Sequence, residues 1–456
     1  MAQQLTDIKV EEKQENTQFN LFEATLYGIN VVLGTGILLL PRNIYENLGP
    51  ASIVAMIFSA VLVLLLALCF AEVAGYVSKN GGAYAFAKIA FGDRTSFIIG
   101  ILSWFTVTTV WGTTSAGLAE LLGHTFEVVR GREPFVAILF IVFFMILNLG
   151  GLKIAKTFSN IVTVSKLLPF IVVGAIGIAF FYGGVQAGNW TPFVQVQEGA
   201  SFTTQLATTA MIVFYAFVGF ESLPIIGGEV KNSKRNMPKA ILIPLVIVTA
   251  LYVLLIGTTI SVLGDDLMNT GTPIQDTFAL MVGDWGFWFV NIAAMISLVG
   301  LCAGDSIHSP RLLESIAEDS VLPDIVTKKN NAGTPYVAII ITSLVALLMV
   351  LTGSFEELAA LSVVFYFFQY IPTAFAVYVL RKKQKNGELA EEYSNEGQFK
   401  LPGGMTIPII AIVVSLWMIL LDSLAHLVTA IVGIVVVLII YGIFRRVGKD
   451  NYSTDE

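Results

Sequence analysis

The residues of this chain whose types and spacing could do chemistry stand inside apolar runs, where flexible or ionisable residues are conspicuous. Gly34-Thr35-Gly36 interrupts the run 21–40, and Tyr215-Ala216-Phe217-Val218-Gly219 interrupts the run 205–228. A broken helix leaves amide N–H groups free at the start of its second half and carbonyls free at the end of its first. At membrane depth such groups cannot stay unpaired against lipid, so a tolerated break should face a polar cavity or a ligand. Free amides attract a carboxylate and free carbonyls attract an ammonium, so two breaks can hold a zwitterion without ionisable side chains. Thr35 and Gly36, with Val32 and Gly34 beside them, fit the first role: small residues let a carboxylate approach the backbone, and Thr35 adds a hydroxyl. The carbonyls near Tyr215, Ala216 and Val218, ahead of Gly219, fit the second. The plainer alternative makes Gly34-x-Gly36 a close helix-packing spot.

Two charges accompany the breaks. Lys166 lies about 12 residues, or ~18 Å of helix, from the start of its run. A buried ammonium is costly unless paired, so this residue is either a proton carrier, a fixed charge that organises the site, or a lysine snorkelling to the interface. Glu221 follows the second break, where a carboxylate feels the positive end of a half-helix and could simply cap it. Glu72 lies near the end of its run and reads as a solvated interface residue. Asp305 and His308, one turn apart near the end of another run, read as a pH-sensitive pair or, more plainly, as an ordinary helix cap.

These residues need membrane-spanning elements to position them, and the composition supplies them. The chain has 456 residues, 55% apolar and 13% charged, with a mean hydropathy of +0.78, which excludes a soluble globular class. Twelve runs read as spans: 21–44, 53–76, 97–122, 135–149, 161–181, 205–228, 240–263, 285–303, 337–351, 358–380, 407–421 and 424–444. An even number puts both termini on one side. All 26 Lys and Arg fall on that side except Arg42, Arg130 and Arg132 opposite and Lys166 within a span, which predicts cytoplasmic termini. The first 20 residues carry Asp7, Glu11, Glu12 and Glu15 without a basic segment, and are expected to be an acidic tail and not a signal peptide. Cys69 and Cys302 fall inside apolar runs, so no disulfide framework or metal site is expected. No phosphate-binding Gly-rich Lys motif and no HExxH occur, and Gly34-x-Gly36 lacks the third glycine of a dinucleotide site. Neither a cofactor nor a nucleic-acid partner is implied, and any transport would run on gradients or exchange.

Spans one to five and six to ten read as two copies, each opening on an interrupted helix. An odd number of spans per copy makes the copies inverted, and paired breaks in corresponding positions point to a secondary transporter's binding site. The expected division is a tail 1–20, repeats 21–183 and 203–383, two further spans in 405–446 for packing or a homodimer contact, and a tail 447–456.

Several strings in order resemble the amino acid–polyamine–organocation family: Gly34-Thr35-Gly36-Ile37, Ser78-Lys79-Asn80-Gly81-Gly82-Ala83-Tyr84, Phe217-Val218-Gly219-Phe220-Glu221, Glu229 to Ala240, Gly333-Thr334-Pro335 and Leu401-Pro402-Gly403-Gly404. The resemblance covers nearly the whole chain. It implies an all-α membrane protein with a LeuT-like five-plus-five inverted repeat and discontinuous helices one and six. It further implies amino acid transport by alternating access, through proton symport or exchange, and no enzymatic activity. It places Lys166 near the first break, where sodium-coupled relatives of the fold hold an ion. It pairs Glu221 with Tyr370 near an inner gate, sets Tyr215 where a substrate-stacking aromatic stands, and by alignment puts Ser103, Trp104 and Ser362 in the side-chain pocket. A cationic cargo needs an acidic pocket, and only Glu221 lies near the breaks, so a neutral amino acid is favoured over an amine or polyamine. A nutrient sensor would need a longer tail, and a channel would need a ring-forming selectivity motif.

Overall fold

The computed structural model describes residues 19–77, 81–150, 156–196, 199, 201–318, 322–421, 428–429, 431–439 and 441–443, with residues 156–165 as backbone. The tails 1–18 and 444–456 and the Ser78-Lys79-Asn80 part of one motif lie outside these residues. Among the described residues the fold is helical, and seven helices are long and apolar enough to cross a membrane.

The first run opens at an Asn20–Glu23 capping box, in which Asn20 accepts from the Glu23 amide and Glu23 accepts from the Asn20 amide. Helix α1 (Leu21–Val32) then stops at Leu33, and the chain resumes as α2 (Gly36–Leu39) and α3 (Pro41–Leu48). Pro41 at the first position of α3 needs no amide partner there. After these come α4 (Ser52–Tyr76), α5 (Gly82–Phe91), α6 (Asp93–Thr125), α7 (Glu133–Leu149), α8 (Lys156–Gly177) and α9 (Phe181–Gln186). The second half begins with α10 (Phe202–Tyr215), which stops at the second expected break and resumes as a 3-10 helix over Phe220–Glu229. It continues with α11 (Ser233–Leu263), α12 (Pro273–Val282), α13 (Asp284–Glu318), α14 (Tyr336–Thr352), α15 (Phe355–Lys385) and α16 (Thr406–Leu421).

The packing of the two halves corresponds element by element. Helix α4 lies against α11, and α6 lies against α13. Helix α1 packs on α11, and α10 packs on α4; α6 packs on α15, and α8 packs on α13. Each half also inserts a ten-residue helix ahead of its third span. Both inserts end on a glycine with positive φ followed at once by an aspartate that opens the next long helix: Gly92 (84°) and Asp93, Gly283 (95°) and Asp284. Only glycine adopts this backbone cheaply. The short helices dock in matching places, α5 on the 3-10 helix after the second break and α12 on α2 after the first.

Large apolar side chains cover the outside at helical spacing, as Val54, Ile57 and Val61 do on α4. Polar groups turn inward. Glu72 was expected to be a solvated interface residue, and the structure corrects this. It is fully buried at the end of α4, where its carboxylate accepts from Nε and Nη2 of Arg381, each at 2.6 Å, and from the Leu401 amide at 2.8 Å. Its partner is remote in sequence, on α15, so the pairing could not be seen locally. Removing one partner of a buried pair leaves the other without compensation. Arg381→Ala should therefore lower stability by roughly 2 kcal/mol, less than for a fully buried pair because the guanidinium is partly exposed. Thermal unfolding of detergent-purified protein should show the loss, with most of it recovered in Glu72→Gln/Arg381→Met; an unchanged midpoint for the single variant would contradict this role.

Candidate functional site

The two breaks meet face to face at the centre of the bundle. A Cβ added to Gly36 would lie 2.6 Å from the Ala216 Cα, and one added to Gly219 would collide with the Val31 carbonyl. Gly219 also has φ 120°, outside the range of ordinary L residues. Glycine at both points is what lets each broken segment rest on the other.

The chemistry of the breaks follows from their unmade bonds. In α2 the first intrahelical acceptors are the carbonyls of Thr35 and Gly36, so the amides of Thr35, Gly36 and Ile37 have no protein acceptor among the described residues. At the second break Ala216, Phe217 and Val218 donate to Val213, Phe214 and Tyr215, while the carbonyls of Ala216, Phe217 and Val218 take no backbone donor among the described residues. The Tyr215 carbonyl is engaged, at 3.4 Å from the Val218 amide.

Side chains hold the remaining ends. Lys166, fully buried on α8, donates through Nζ to the carbonyl of Asn30 and, at 2.8 Å, to that of Leu33 at the end of α1. Tyr252 on α11 donates to the Val32 carbonyl at 3.2 Å. Both Glu221 carboxylate oxygens accept from the Gly219 amide, at 3.0 and 2.9 Å, and one accepts from the Tyr370 hydroxyl at 2.7 Å. Glu221 therefore caps the second break and is tied to α15 through the tyrosine that the resemblance paired with it. The Thr35 hydroxyl donates to the Tyr215 hydroxyl at 3.1 Å, so the two breaks are joined by a side-chain bond as well.

A cavity of about 650 Å³ opens onto this junction. Val32, Gly34, Thr35, Gly36, Tyr215, Val218 and Gly219 line it. Ala216, Lys166, Glu221 and Tyr370 stand behind the lining: Ala216 against Gly36, Lys166 beneath α1, and Glu221 with Tyr370 under the second break. Ser103, Trp104 and Ser362, expected in the pocket, are elsewhere. Ser103 donates to Gln369 at 3.1 Å, Trp104 donates through Nε1 to Thr342 at 3.0 Å, and Ser362 donates to the Leu358 carbonyl at 2.7 Å. The stripe of α6 that reaches the cavity is Val107, Val110 and Thr114, whose spacing is one helix face. Ser103 and Trp104 turn instead toward α15 and α14.

Asp305 and His308 are not at a helix cap. They line the cavity, and α13 runs on for nearly three turns beyond His308. Helix α13 also contains Pro310, which has no amide to give the Ser306 carbonyl. Asn148 of α7 supplies the missing donor at 2.6 Å, and this fixes the turn that carries Asp305. An acid deep in an apolar helix was the available signal for this position.

A family model for amino acid permeases matches residues 19–446, nearly the whole chain. This chain belongs to the amino acid permease family. It is similar to the branched-chain amino acid permease BcaP of Bacillus subtilis (strain 168), 27% identical over 95% of this chain and 94% of that protein. It is also similar to the serine/threonine exchanger SteT of the same organism, 24% identical over 93% of this chain and 96% of SteT. An uncharacterized transporter of Mycobacterium tuberculosis, Rv1979c, is 30% identical over 86% of this chain and 84% of its own length. The permease is accordingly a multi-pass membrane protein of a transport family and not an enzyme.

Two substitutions test the geometry. Lys166→Ala removes the donor from two carbonyls at the end of α1 and should reduce substrate uptake by at least about tenfold, since each lost buried bond costs ~1–3 kcal/mol; uptake that is unchanged and still pH-dependent would rule out any role for the ammonium. Gly36→Val forces the breaks apart, and substrate binding should be lost while the protein still elutes as a folded species in gel filtration.

Proposed function

We propose that this permease carries neutral amino acids across the cytoplasmic membrane by alternating access. The observation that carries this reading is the convergence of two helix breaks on one cavity, one offering unpaired amides and the other unpaired carbonyls. A zwitterion needs that pair of partial charges, and the main chain of two facing segments supplies both. The named activities of BcaP and SteT, branched-chain amino acids and serine or threonine, support an amino acid cargo with a small or apolar side chain.

The architecture we infer has twelve spans in a LeuT-like five-plus-five inverted repeat, followed by two spans suited to packing or a homodimer contact. Support comes from the matching partners of α4 and α11, of α6 and α13, and of the two inserted helices. The distribution of Lys and Arg favours cytoplasmic termini. Phe19, Glu229 and Arg311 at the cavity's outer part belong to segments on that same side, so the conformation described is inward-facing. In this reading Lys166 is the positive charge that holds the end of α1, and Glu221 with Tyr370 ties the second break to α15. The driving force is a proton gradient or exchange against a second amino acid.

Purified protein in liposomes should take up labelled leucine, valine, serine or threonine at least about tenfold faster than putrescine or agmatine, one order of magnitude being 1.4 kcal/mol of selectivity. An imposed inward proton gradient should accelerate uptake if coupling is symport, whereas absolute dependence on internal amino acid identifies exchange. Transport of amines alone would overturn the proposal.

A further inference from the structure

The cavity holds one acid that the reading above does not use. Asp305 faces the cavity from the middle of α13 beside Gly300 and Gly304, and a Cβ on Gly304 would meet nothing within 4 Å. Its one hydrogen bond is from the Thr114 hydroxyl, at 3.3 Å, and no Lys, Arg or His lies within ion-pair distance among the described residues. A carboxylate inside the membrane with a single long hydroxyl bond is expensive. While the cavity is open, water solvates the charge; once the cavity closes, the described residues offer only the Thr114 hydroxyl in place of that water.

The charged and titratable neighbours do not solve this for it. Helix α8 contributes Lys166, which interacts electrostatically with Asp305 but spends its donors on Asn30 and Leu33. The first broken helix contributes Tyr27, the second Tyr215 and Glu221, and α15 contributes Tyr366. Asp305's own helix contributes Cys302, His308 and Arg311, the last two toward the mouth. From α6 the neighbour is Thr114, with Glu120 and His124 six and ten residues further along. Helices α7, α12 and α14 and the turn Asp324–Thr327 also pack on α13, but their ionisable groups, Glu133, Asp276, Tyr336 and Asp324, sit in first turns at the ends. Among the described residues no cation lies within ion-pair distance of the acid.

What does reach Asp305 is the substrate site. The Thr35 hydroxyl donates to Tyr215, Thr114 donates to Asp305, and all four residues line the same cavity. Three hydroxyls thus lie between the first break, where a carboxylate would bind, and the acid on α13.

We propose that Asp305 is the proton-binding site of the transport cycle, its carboxylate taking one proton from water as a neutral amino acid binds on one side of the membrane and releasing it on the side where the amino acid leaves. Proton transfer forms one O–H bond on an Asp305 oxygen and breaks one in hydronium; the neutral carboxyl then tolerates closure, and water accepts the proton when the site reopens. This rests on the amino acid transport reading and assigns its coupling to α13, leaving Lys166 as a fixed charge.

The test uses the full-length protein in liposomes, with leucine and serine as probes and an entrapped pH dye. One proton should enter per amino acid, and apparent affinity should fall by about tenfold per pH unit on the alkaline side of the carboxyl's titration. Asp305→Asn should abolish both the proton flux and the pH dependence of binding, and Asp305→Glu should restore them. If Asp305→Asn does not fold, as judged by thermal unfolding, the dye measurement on unsubstituted protein and on Asp305→Glu still decides. Amino acid transport without proton flux, or pH dependence intact in Asp305→Asn, overturns this assignment alone. A preference for cationic amino acids that Asp305→Asn removes also overturns it, since the acid would then be a receptor for cargo. Absence of amino acid binding at every pH would instead overturn the function proposed above.

Discussion

Main-chain polarity in an apolar medium is the constraint on which the rest of this structure depends. Every amide and carbonyl released by the breaks after Val32 and Tyr215 must find a partner, because the surrounding hydrocarbon offers none. The protein meets some with side chains brought from remote helices: Lys166 and Tyr252 for the end of α1, Glu221 for the start of the 3-10 helix. It leaves others turned to the cavity. Groups facing protein are capped by buried donors and acceptors, and groups facing the cavity remain for solute or water. Moving Lys166 or Glu221 would change which groups are left over, although neither residue lines the cavity.

Much of this was legible in the sequence because glycine and charge are rare events in an apolar run. Gly34-x-Gly36, Gly219, Lys166 and Glu221 each broke the local pattern, and each stands at or directly behind the junction. Asp305 broke its pattern as well, yet it lies just past the end of the run 285–303 and so read as a helix cap, whereas the cavity extends from the mouth to the junction and reaches it there. Helix α13 is also 35 residues long and outruns the apolar stretch that delimited it. Glu72 was misread for a different reason: its neutralising partner Arg381 lies on α15, and nothing local announces a long-range pair. Ser103, Trp104 and Ser362 were assigned by alignment, which fixes position along a helix but not the azimuth of a side chain.

The internal repeat carried a signal finer than the breaks. Phe91-Gly92-Asp93 and Val282-Gly283-Asp284 occupy equivalent junctions, where a left-handed glycine stops a ten-residue helix and an aspartate in the first turn favours the next. Two dipeptides are too few to find by self-comparison. They become informative when the elements around them are known to pack alike.

The same correspondence bears on how the molecule could alternate. On the side away from the cavity mouth, α3 is held to the second half by Tyr45 donating to Asp265 at 2.9 Å and by Asn43 donating to Glu356 at 2.7 Å. The Asn43–Glu356 bond is exposed, whereas Tyr45 is buried, so these two contacts differ in what it costs to break them. The element equivalent to α3 is the 3-10 helix Phe220–Glu229, which borders the mouth and hinges at Gly219. The α4–α11 and α6–α13 contacts are the most extensive between helices of the two halves, and neither runs through one of the two breaks.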